Sequence, residues 1–301
     1  MKKILVLGSE GFIGSQVISF GLKNEYEVSG IDISDHNPAN YHYTKLSLLS
    51  PDLDEFLSRH SFDIIFNCAG SGNVSFSVQS PAKDFELNCQ SVLLVLDAIR
   101  KHLPECKYIQ LSSAAVYGNP AALPVSESTP INPVSPYGYH KWISEIFCRE
   151  YATLYGVRVA IVRPFSVYGP GLKKQLIWDV YQKAKAETKV VLWGTGEETR
   201  DFIHVEDLAR ALFVIAKEEC ERMEIYNVGS GESITVNDIV SLLFQKLEWQ
   251  KDISFNREVR IGDPRFWQAD ITKLLSIGFQ STVSLDAGLL QTANWLKMYG
   301  G

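Results

Sequence analysis

Short apolar runs alternate along this chain with longer stretches in which apolar positions recur every three or four residues. Ile4 to Leu7, Phe62 to Ala69, Tyr108 to Ser112 and Val157 to Val162 are runs of the first kind and predict buried strands; Glu27 to Ile33 (EVSGIDI) joins them as a further strand. Phe12 to Leu22 has the second pattern, with Phe12, Ile13, Val17, Ile18 and Leu22 on one face of a helix. Leu53 to His60 predicts a short helix, and Asp84 to His102 a long one with Phe85, Leu87, Val92, Leu93, Val95, Leu96 and Ile99 turned inward. Ser34 to Ser47 is polar, holds Pro38 and Asn40, and predicts a loop. Strands alternating with helices at this spacing give an α/β fold with a doubly wound parallel sheet, whose ligands sit beyond the carboxyl ends of the strands.

The second half continues less regularly. Leu172 onward (LKKQLIWDVYQKA) predicts an amphipathic helix whose Lys173 and Lys174 face either phosphate or solvent. His204 to Lys217 predicts a helix anchored or capped by Asp207, with Leu208, Leu212, Phe213 and Ile215 inward, and Tyr226 to Gly229 a short strand and turn. Val236 to Leu247, Ile271 to Leu275 and Leu285 to Met298 predict further helices, the last with Leu289, Leu290 and Trp295 on its apolar side. No repeat, low-complexity run or flexible linker interrupts the chain. Two interleaved lobes are therefore expected: residues 1–168, with 204–229 returning to them, and a smaller lobe of residues 169–203 and 230–301.

With 301 residues and 46% hydrophobic content the chain can bury a substantial core. A formal charge of −6 gives no global basic footprint, so nucleic acid is not an expected partner. Cys68, Cys89, Cys106, Cys148 and Cys220 are scattered, odd in number and never spaced as CxxC. They read as reduced packing residues, with neither a disulfide framework nor a metal site. The apolar run after the amino-terminal lysines is too short for a signal peptide, and no stretch of about 18 apolar residues predicts a membrane span. A cytoplasmic enzyme is the default expectation.

Candidate chemistry begins at the first turn. Gly8, Gly11 and Gly14 follow the first strand, where a backbone without Cβ lets a diphosphate approach amides at a helix amino terminus, here those of Phe12 and Ile13. Asp32 ends the second strand eighteen residues beyond Gly14 and is placed to accept hydrogen bonds from an adenosine ribose. A carboxylate there repels a 2′-phosphate, and neither Ser9, Glu10, Ile33 nor Ser34 offers a compensating cation, so NAD is favoured over NADP. Ala69 and Gly70, at the end of a later strand, should border the cofactor. Asn88, the odd polar member of its helix, is either a ribose or water contact or a satisfied polar residue between helices.

Ser113 closes another strand, and 24 residues later SPYGYHKWISE places Tyr137 and Lys141 at i, i+4 on one helical face. Such a pair is often only a surface contact with a snorkelling lysine. Downstream of a dinucleotide turn and a serine-ended strand it reads as catalysis: an ammonium beside a phenol lowers a pKa of about 10 toward neutrality, and Ser113 orients the same substrate oxygen for hydride transfer at nicotinamide. Tyr139 points elsewhere on the helix.

The segments GSEGFIG, LSSAAVYG, YGYHK, VRPFSVYGPG, RDFIHVEDLARA, YNVGSG and RIGDPRFWQADITKLLSIGF, in this order, resemble the extended short-chain dehydrogenase/reductases that act on nucleotide sugars. Within them the chain is similar to the NAD-dependent epimerase/dehydratase type, which includes UDP-galactose 4-epimerase-like enzymes. The resemblance implies a Rossmann domain with a smaller substrate lobe, a tightly held NAD flanked also by Pro164, and redox chemistry at a sugar carbon, usually C4. It implies Tyr137 as acid/base, Lys141 holding Tyr137 and the nicotinamide ribose, and Ser113 assisting. Arg200 and Arg260 match arginines that bind the substrate diphosphate, although either can equally be a structural ion-pair partner; Ser166 stands where an asparagine commonly holds the nucleotide sugar. Dehydratases of the dTDP-glucose type carry Asp-Glu after the catalytic Thr or Ser, whereas this chain has Ala114 and Ala115, which cannot move protons.

A 4-epimerase working through a 4-keto intermediate is expected ahead of a 4-ketosugar reductase. NAD suits an enzyme that regenerates its own cofactor, while a length near 300 residues is familiar among the reductases. A dinucleotide-binding sensor or scaffold is the reading from another class, and a matched Ser113, Tyr137 and Lys141 set argues against it. By analogy a homodimer is expected, paired through Asp84 to His102 and Lys141 to Tyr155 in a four-helix bundle.

Overall fold

The computed structural model describes residues 1–36, 38–219, 223–258 and 265–300. Its centre is a seven-stranded sheet containing β1 (Lys3–Leu7), β2 (Glu27–Asp32), β3 (His42–Lys45), β4 (Ile64–Asn67), β5 (Lys107–Leu111), β6 (Arg158–Pro164) and the strand Met223–Val228. Across the sheet the order is Met223–Val228, β6, β5, β4, β1, β2, β3, and every neighbouring pair is parallel. Parallel neighbours require crossovers, and helices from the intervening segments cover both faces.

The uninterrupted apolar runs follow from this two-sided burial. In β1, Ile4 and Val6 pack with Val17 of the helix Phe12–Lys23 and with Leu212 and Phe213 of Val205–Lys217. Leu5 and Leu7 point the other way, among Leu53 and Leu57 of Asp52–Arg59 and Val95, Leu96 and Ile99 of Ser91–His102. All four β1 side chains are fully buried. Each removes apolar area worth about 1.5–3 kcal/mol from water, so the glycine turn that follows stands on a firmly anchored strand.

In the first hundred or so residues three elements depart from the expectations, and the short strands Lys189–Leu192, Thr199–Arg200, Phe202–His204, Ile234–Thr235 and Asp252–Phe255 add to them later in the chain. The polar stretch 34–47 contains β3, an edge strand whose sequence HYTK carries no apolar alternation and which pairs only with β2. The helix Val74–Gln79 was not anticipated. The expected helix at 84–102 begins earlier, at Pro81–Phe85, then passes through a π-helical turn, Glu86–Gln90, before the α-helix Ser91–His102. Elsewhere, the helices Pro136–Tyr155, Val205–Lys217, Val236–Leu247 and Leu285–Tyr299 and the strand β6 fall on or within a few residues of the periodic segments.

A separate apolar cluster holds the other helices together. It joins Val180 and Tyr181 of Gln175–Ala186, Val240 and Leu243 of Val236–Leu247, and Leu289 and Leu296 of Leu285–Tyr299. Around it lie three two-stranded pairs: Ser166–Tyr168 with Phe202–His204, Thr199–Arg200 with Ile234–Thr235, and Lys189–Leu192 with Asp252–Phe255. Arg260 and Cys220 lie outside the described residues. Among the described residues no helix is long and apolar enough to cross a membrane.

Candidate active site

The turn after β1 is built from close backbone approaches. Gly8 has φ +75°, and a Cβ on it would stand 2.8 Å from the Ala69 backbone. A Cβ on Gly14 would stand 2.0 Å from the Gly8 carbonyl oxygen, so only glycine lets the helix Phe12–Lys23 start this close to the strand. Gly11 is its N-cap and supplies no side-chain cap, which leaves the first-turn amides of Phe12 and Ile13 for a ligand. Asp32 ends β2 beside this turn; its carboxylate accepts from the Glu10 amide at 3.0 Å and from Ile33 and Ser34 at 2.7 and 3.2 Å.

Asn88 bears on one of the open readings. It lies on the π-helical turn, is 1% exposed, and neither its Oδ1 nor its Nδ2 has a partner. Its Oδ1 would stand 2.6 Å from a Cβ on Gly70, whose φ is +112°. A buried amide without partners costs several kcal/mol in principle, and a π-turn is a common device for aiming one side chain. Together with the cradle around Gly8 and Gly14, this orphaned amide suits a dinucleotide rather than a satisfied helix–helix contact.

Ser113, Tyr137 and Lys141 come together next to this cradle. Ser113 follows β5 and caps a 3₁₀ turn, Ala114–Tyr117, its hydroxyl accepting from the Ala115 amide at 3.1 Å. The same hydroxyl stands near enough to the Tyr137 phenol to lower its pKa. Tyr137 and Lys141 belong to Pro136–Tyr155, which Ser135 caps by accepting from the Gly138 amide at 3.2 Å. Gly138 is required because a Cβ there would stand 2.7 Å from the Ala115 carbonyl, so the YGYHK helix can press against the Ser113 turn. The unanticipated helix Val74–Gln79 contributes Ser77, whose hydroxyl accepts from the Tyr137 amide at 3.0 Å. Tyr139, by contrast, is exposed.

The electrostatics differ from the expectation of an acidified phenol. Lys141 is 5% exposed, its Nζ donates to the Leu111 carbonyl at 3.0 Å, and it stands 5.9 Å from the Tyr137 ring centroid. Burial pushes Tyr137 up to about 12, opposed by the Ser113 hydroxyl and assisted by the Asp84 charge. Burial likewise brings Lys141 down to about 8; Asp84 opposes this and Lys174 adds to it. The ammonium is committed to a backbone carbonyl, and desolvation is the largest influence on the phenol.

Behind these residues lies a buried polar network absent from the sequence-based expectations. Arg163 in β6 pairs with Glu145 through two hydrogen bonds, 2.9 and 2.6 Å, and donates to the Tyr117 hydroxyl at 2.7 Å. Glu145 also accepts from Ser112 at 2.5 Å, and Tyr117 donates to Asn227 at 2.7 Å. The network ties β5, β6, Met223–Val228 and the Tyr137 helix together directly under Ser113. Its sequence signal was the position of Glu145, one helical turn beyond Lys141. A second pair, Asp84 with His140 at 2.6 Å, is buried on the other side of the same helix.

On the substrate side, Pro164 ends β6 and Ser166 begins the strand that follows. Arg200 donates to the Thr199 and Arg265 carbonyls and stands 6.0 Å from the Trp267 ring. Lys173 is exposed, while Lys174 turns inward, its Nζ 3.2 Å from the position of a Cβ on Gly72. Ala114 and Ala115 follow Ser113 with methyl groups only.

Comparison with known proteins gives a consistent result. Residues 4–229 match the model of the NAD dependent epimerase/dehydratase family. Over 312 residues the chain is 28% identical to the UDP-glucose 4-epimerase of Mycolicibacterium smegmatis, covering 98% of both chains. The UDP-glucose 4-epimerase of Thermotoga maritima, solved with UDP-glucose, superposes with a TM-score of 0.90 at 28% identity, covering 99% of this chain and 100% of that one. The UDP-glucuronic acid 4-epimerase of Bacillus cereus, solved with UDP-glucuronic acid and NAD, also gives 0.90, at 27% identity and with 98% and 99% covered.

Proposed function

The chain belongs to the NAD-dependent epimerase/dehydratase family, and from that membership we propose that it inverts C4 of a nucleotide sugar through a 4-keto intermediate. It is an NAD-dependent enzyme. The observation that carries the reading is the gathering of Ser113, Tyr137 and Lys141 beside the glycine cradle, with only methyl groups at Ala114 and Ala115 where an elimination would need an acid and a base. Bound NAD supplies a hydride acceptor and donor, and in its oxidised form a positive charge that favours the Tyr137 phenolate.

The roles of the chain's own residues follow. Asp32 receives the adenosine ribose, the Phe12 and Ile13 amides face the diphosphate, and Asn88, Gly70 and Lys141 lie toward the nicotinamide end. Tyr137 takes the proton of the C4 hydroxyl as the hydride leaves C4, and returns it after the 4-keto sugar has presented its other face. Ser113 holds the reacting oxygen throughout, and Arg200 meets the substrate diphosphate with Ser166 nearby.

The same reading assigns residues 1–168 with 204–229 to cofactor binding and 169–203 with 230–301 to the sugar nucleotide; the helices Gln175–Ala186, Val236–Leu247 and Leu285–Tyr299 share a separate apolar cluster, while Leu274 and Phe279 pack into the core of the first lobe. A cytoplasmic setting agrees with Cys68, Cys89, Cys106 and Cys148 all being free. A homodimer agrees with Leu94 of Ser91–His102 and Ile146, Leu154 and Tyr155 of Pro136–Tyr155 being exposed apolar side chains on adjacent helices. Light scattering of the purified protein at twice the monomer mass supports it; monomer mass refutes it.

The test of the reaction is proton NMR of UDP-glucose and UDP-glucuronate incubated with the purified protein without added NADH. Sustained C4 inversion supports the reading. Stoichiometric consumption of added reduced cofactor without inversion would replace it with a reductase.

A further inference from the structure

Lys174 is the cation that the scheme above leaves unused. It precedes the helix Gln175–Ala186 in extended conformation, φ −162° and ψ 174°, and Gln175 then takes φ 67°, a left-handed value that non-glycine residues seldom adopt. The turn sends adjacent lysines in different directions. Lys173 is exposed, whereas Lys174 reaches inward until its Nζ stands 3.2 Å from where a Cβ of Gly72 would be, two residues past the Gly70 that faces Asn88. Any side chain at position 72 would press on this ammonium. Its charge is felt at Lys141, and burial lowers its own proton affinity.

Among the described residues no hydrogen bond or ion pair ends on Lys174. Three other cations toward this end of the sheet each have one: Lys141 has the Leu111 carbonyl, Arg163 has Glu145, and Arg200 has the Thr199 and Arg265 carbonyls. Ammonium groups close enough to feel one another repel, and a partly desolvated one without a partner is unfavourable unless a ligand brings an anion. Lys174 lies at the reacting end, by Gly72 and Lys141, whereas the arginine assigned to the substrate diphosphate lies among Thr199, Arg265 and Trp267. A neutral hexose offers this ammonium only hydroxyls. A hexuronate offers a carboxylate on C5, the ring carbon next to C4.

We propose that Lys174 is a specificity-determining residue that binds the sugar carboxylate, making the substrate a nucleotide-linked uronic acid rather than a neutral hexose. The proposal rests on the 4-epimerase reading for which sugar carbon reacts. A charge-assisted hydrogen bond formed with one sugar and not the other gives a preference of about tenfold or more.

The test measures binding of UDP-glucuronate, UDP-glucose and UDP to the NAD-loaded protein by calorimetry, and C4 inversion by NMR, for the wild type, Lys174→Met and Lys174→Arg. The wild type is expected to bind UDP-glucuronate about tenfold more tightly than UDP-glucose. Lys174→Met should erase that ratio, with a much larger loss for UDP-glucuronate than for UDP, and Lys174→Arg should restore it. Equal losses for all three ligands would place Lys174 on the diphosphate and overturn the proposal. So would a loss confined to NAD content, or a wild type that does not prefer UDP-glucuronate. Lys174-dependent uronate binding without C4 inversion would support this assignment while removing the epimerase reading, so the two fail separately.

Discussion

Replacing Lys141 with Met should make the cofactor-free protein more stable while abolishing turnover. The Lys141 ammonium is buried and its pKa falls from 10.5 to about 8, so the folded state binds this proton less readily than the unfolded chain. The sign follows directly: protonation favours unfolding, so the penalty is full below about pH 8 and vanishes above the unfolded value of 10.5. A shift of this size corresponds to about 3 kcal/mol at pH 7 and to less than about 1 kcal/mol at pH 10. Against this stands the lost hydrogen bond to the Leu111 carbonyl, worth about 1 kcal/mol. Methionine fills a similar volume without the charge. The net expectation is a gain of about 2 kcal/mol at pH 7. Thermal unfolding of NAD-stripped wild type and Lys141→Met from pH 7 to 10 tests it, the variant leading by several degrees at pH 7 and converging on the wild type by pH 10. A variant that melts lower at pH 7, or a gap independent of pH, would refute the account of a desolvated ammonium held ready for a ligand.

Tyr137→Phe removes the hydroxyl assigned to exchange the C4 proton, and should lower kcat by about 10²–10⁴-fold with NAD content unchanged; activity within tenfold of wild type would exclude the assigned role. Asn88→Leu should raise the melting temperature of the stripped protein, because it removes an amide with two buried unpartnered atoms, and should weaken NAD retention on dialysis. Arg163→Met strands the Glu145 carboxylate and should cost about 3–5 kcal/mol in unfolding, much of which the double variant with Glu145→Met should recover.

How much of this was legible in the sequence depended on whether a feature left a periodic trace. The central strands are covered on both faces, so β1 reads as four consecutive apolar residues and β4 as IIFN, and both lie where the pattern puts them. The edge strand β3 has no buried residue, and HYTK gives no such signal. The π-turn at Glu86–Gln90 was invisible because inserting one residue into a helical turn preserves apolar spacing on either side; only the polar Asn88 marked the place. Gly8, Gly14, Ser113, Tyr137 and Lys141 were found by spacing, since local geometry ties their positions together. The partners Asp84–His140 and Glu145–Arg163 are separated by 56 and 18 residues, and only the folded chain brings them into contact. For the lysine pair at 173 and 174, the sequence left phosphate and solvent open for both, and the left-handed turn at Gln175 divides them.

The distribution of unmet polar groups argues that the site's composition is set by what it binds. Arg163, Glu145, Tyr117, Asn227 and Ser112 are buried under the site and satisfy one another, as a structural polar cluster must. One layer above, facing the cavity, the Asn88 amide and the Lys174 ammonium have no partner among the described residues, and Lys141 and Tyr137 are held in their neutral forms more readily than in water. A chain selected only for stability would place apolar side chains in that layer. Asn88, Lys174 and Lys141 each cost free energy in the empty protein and regain it when a ligand brings ribose hydroxyls, an amide and negative charge, whereas the Tyr137 phenol is neutral with or without the fold near pH 7 and carries no such cost. Binding should therefore raise the melting temperature through these three groups, and a variant that removes one of them should lose ligand-induced stabilisation while gaining intrinsic stability.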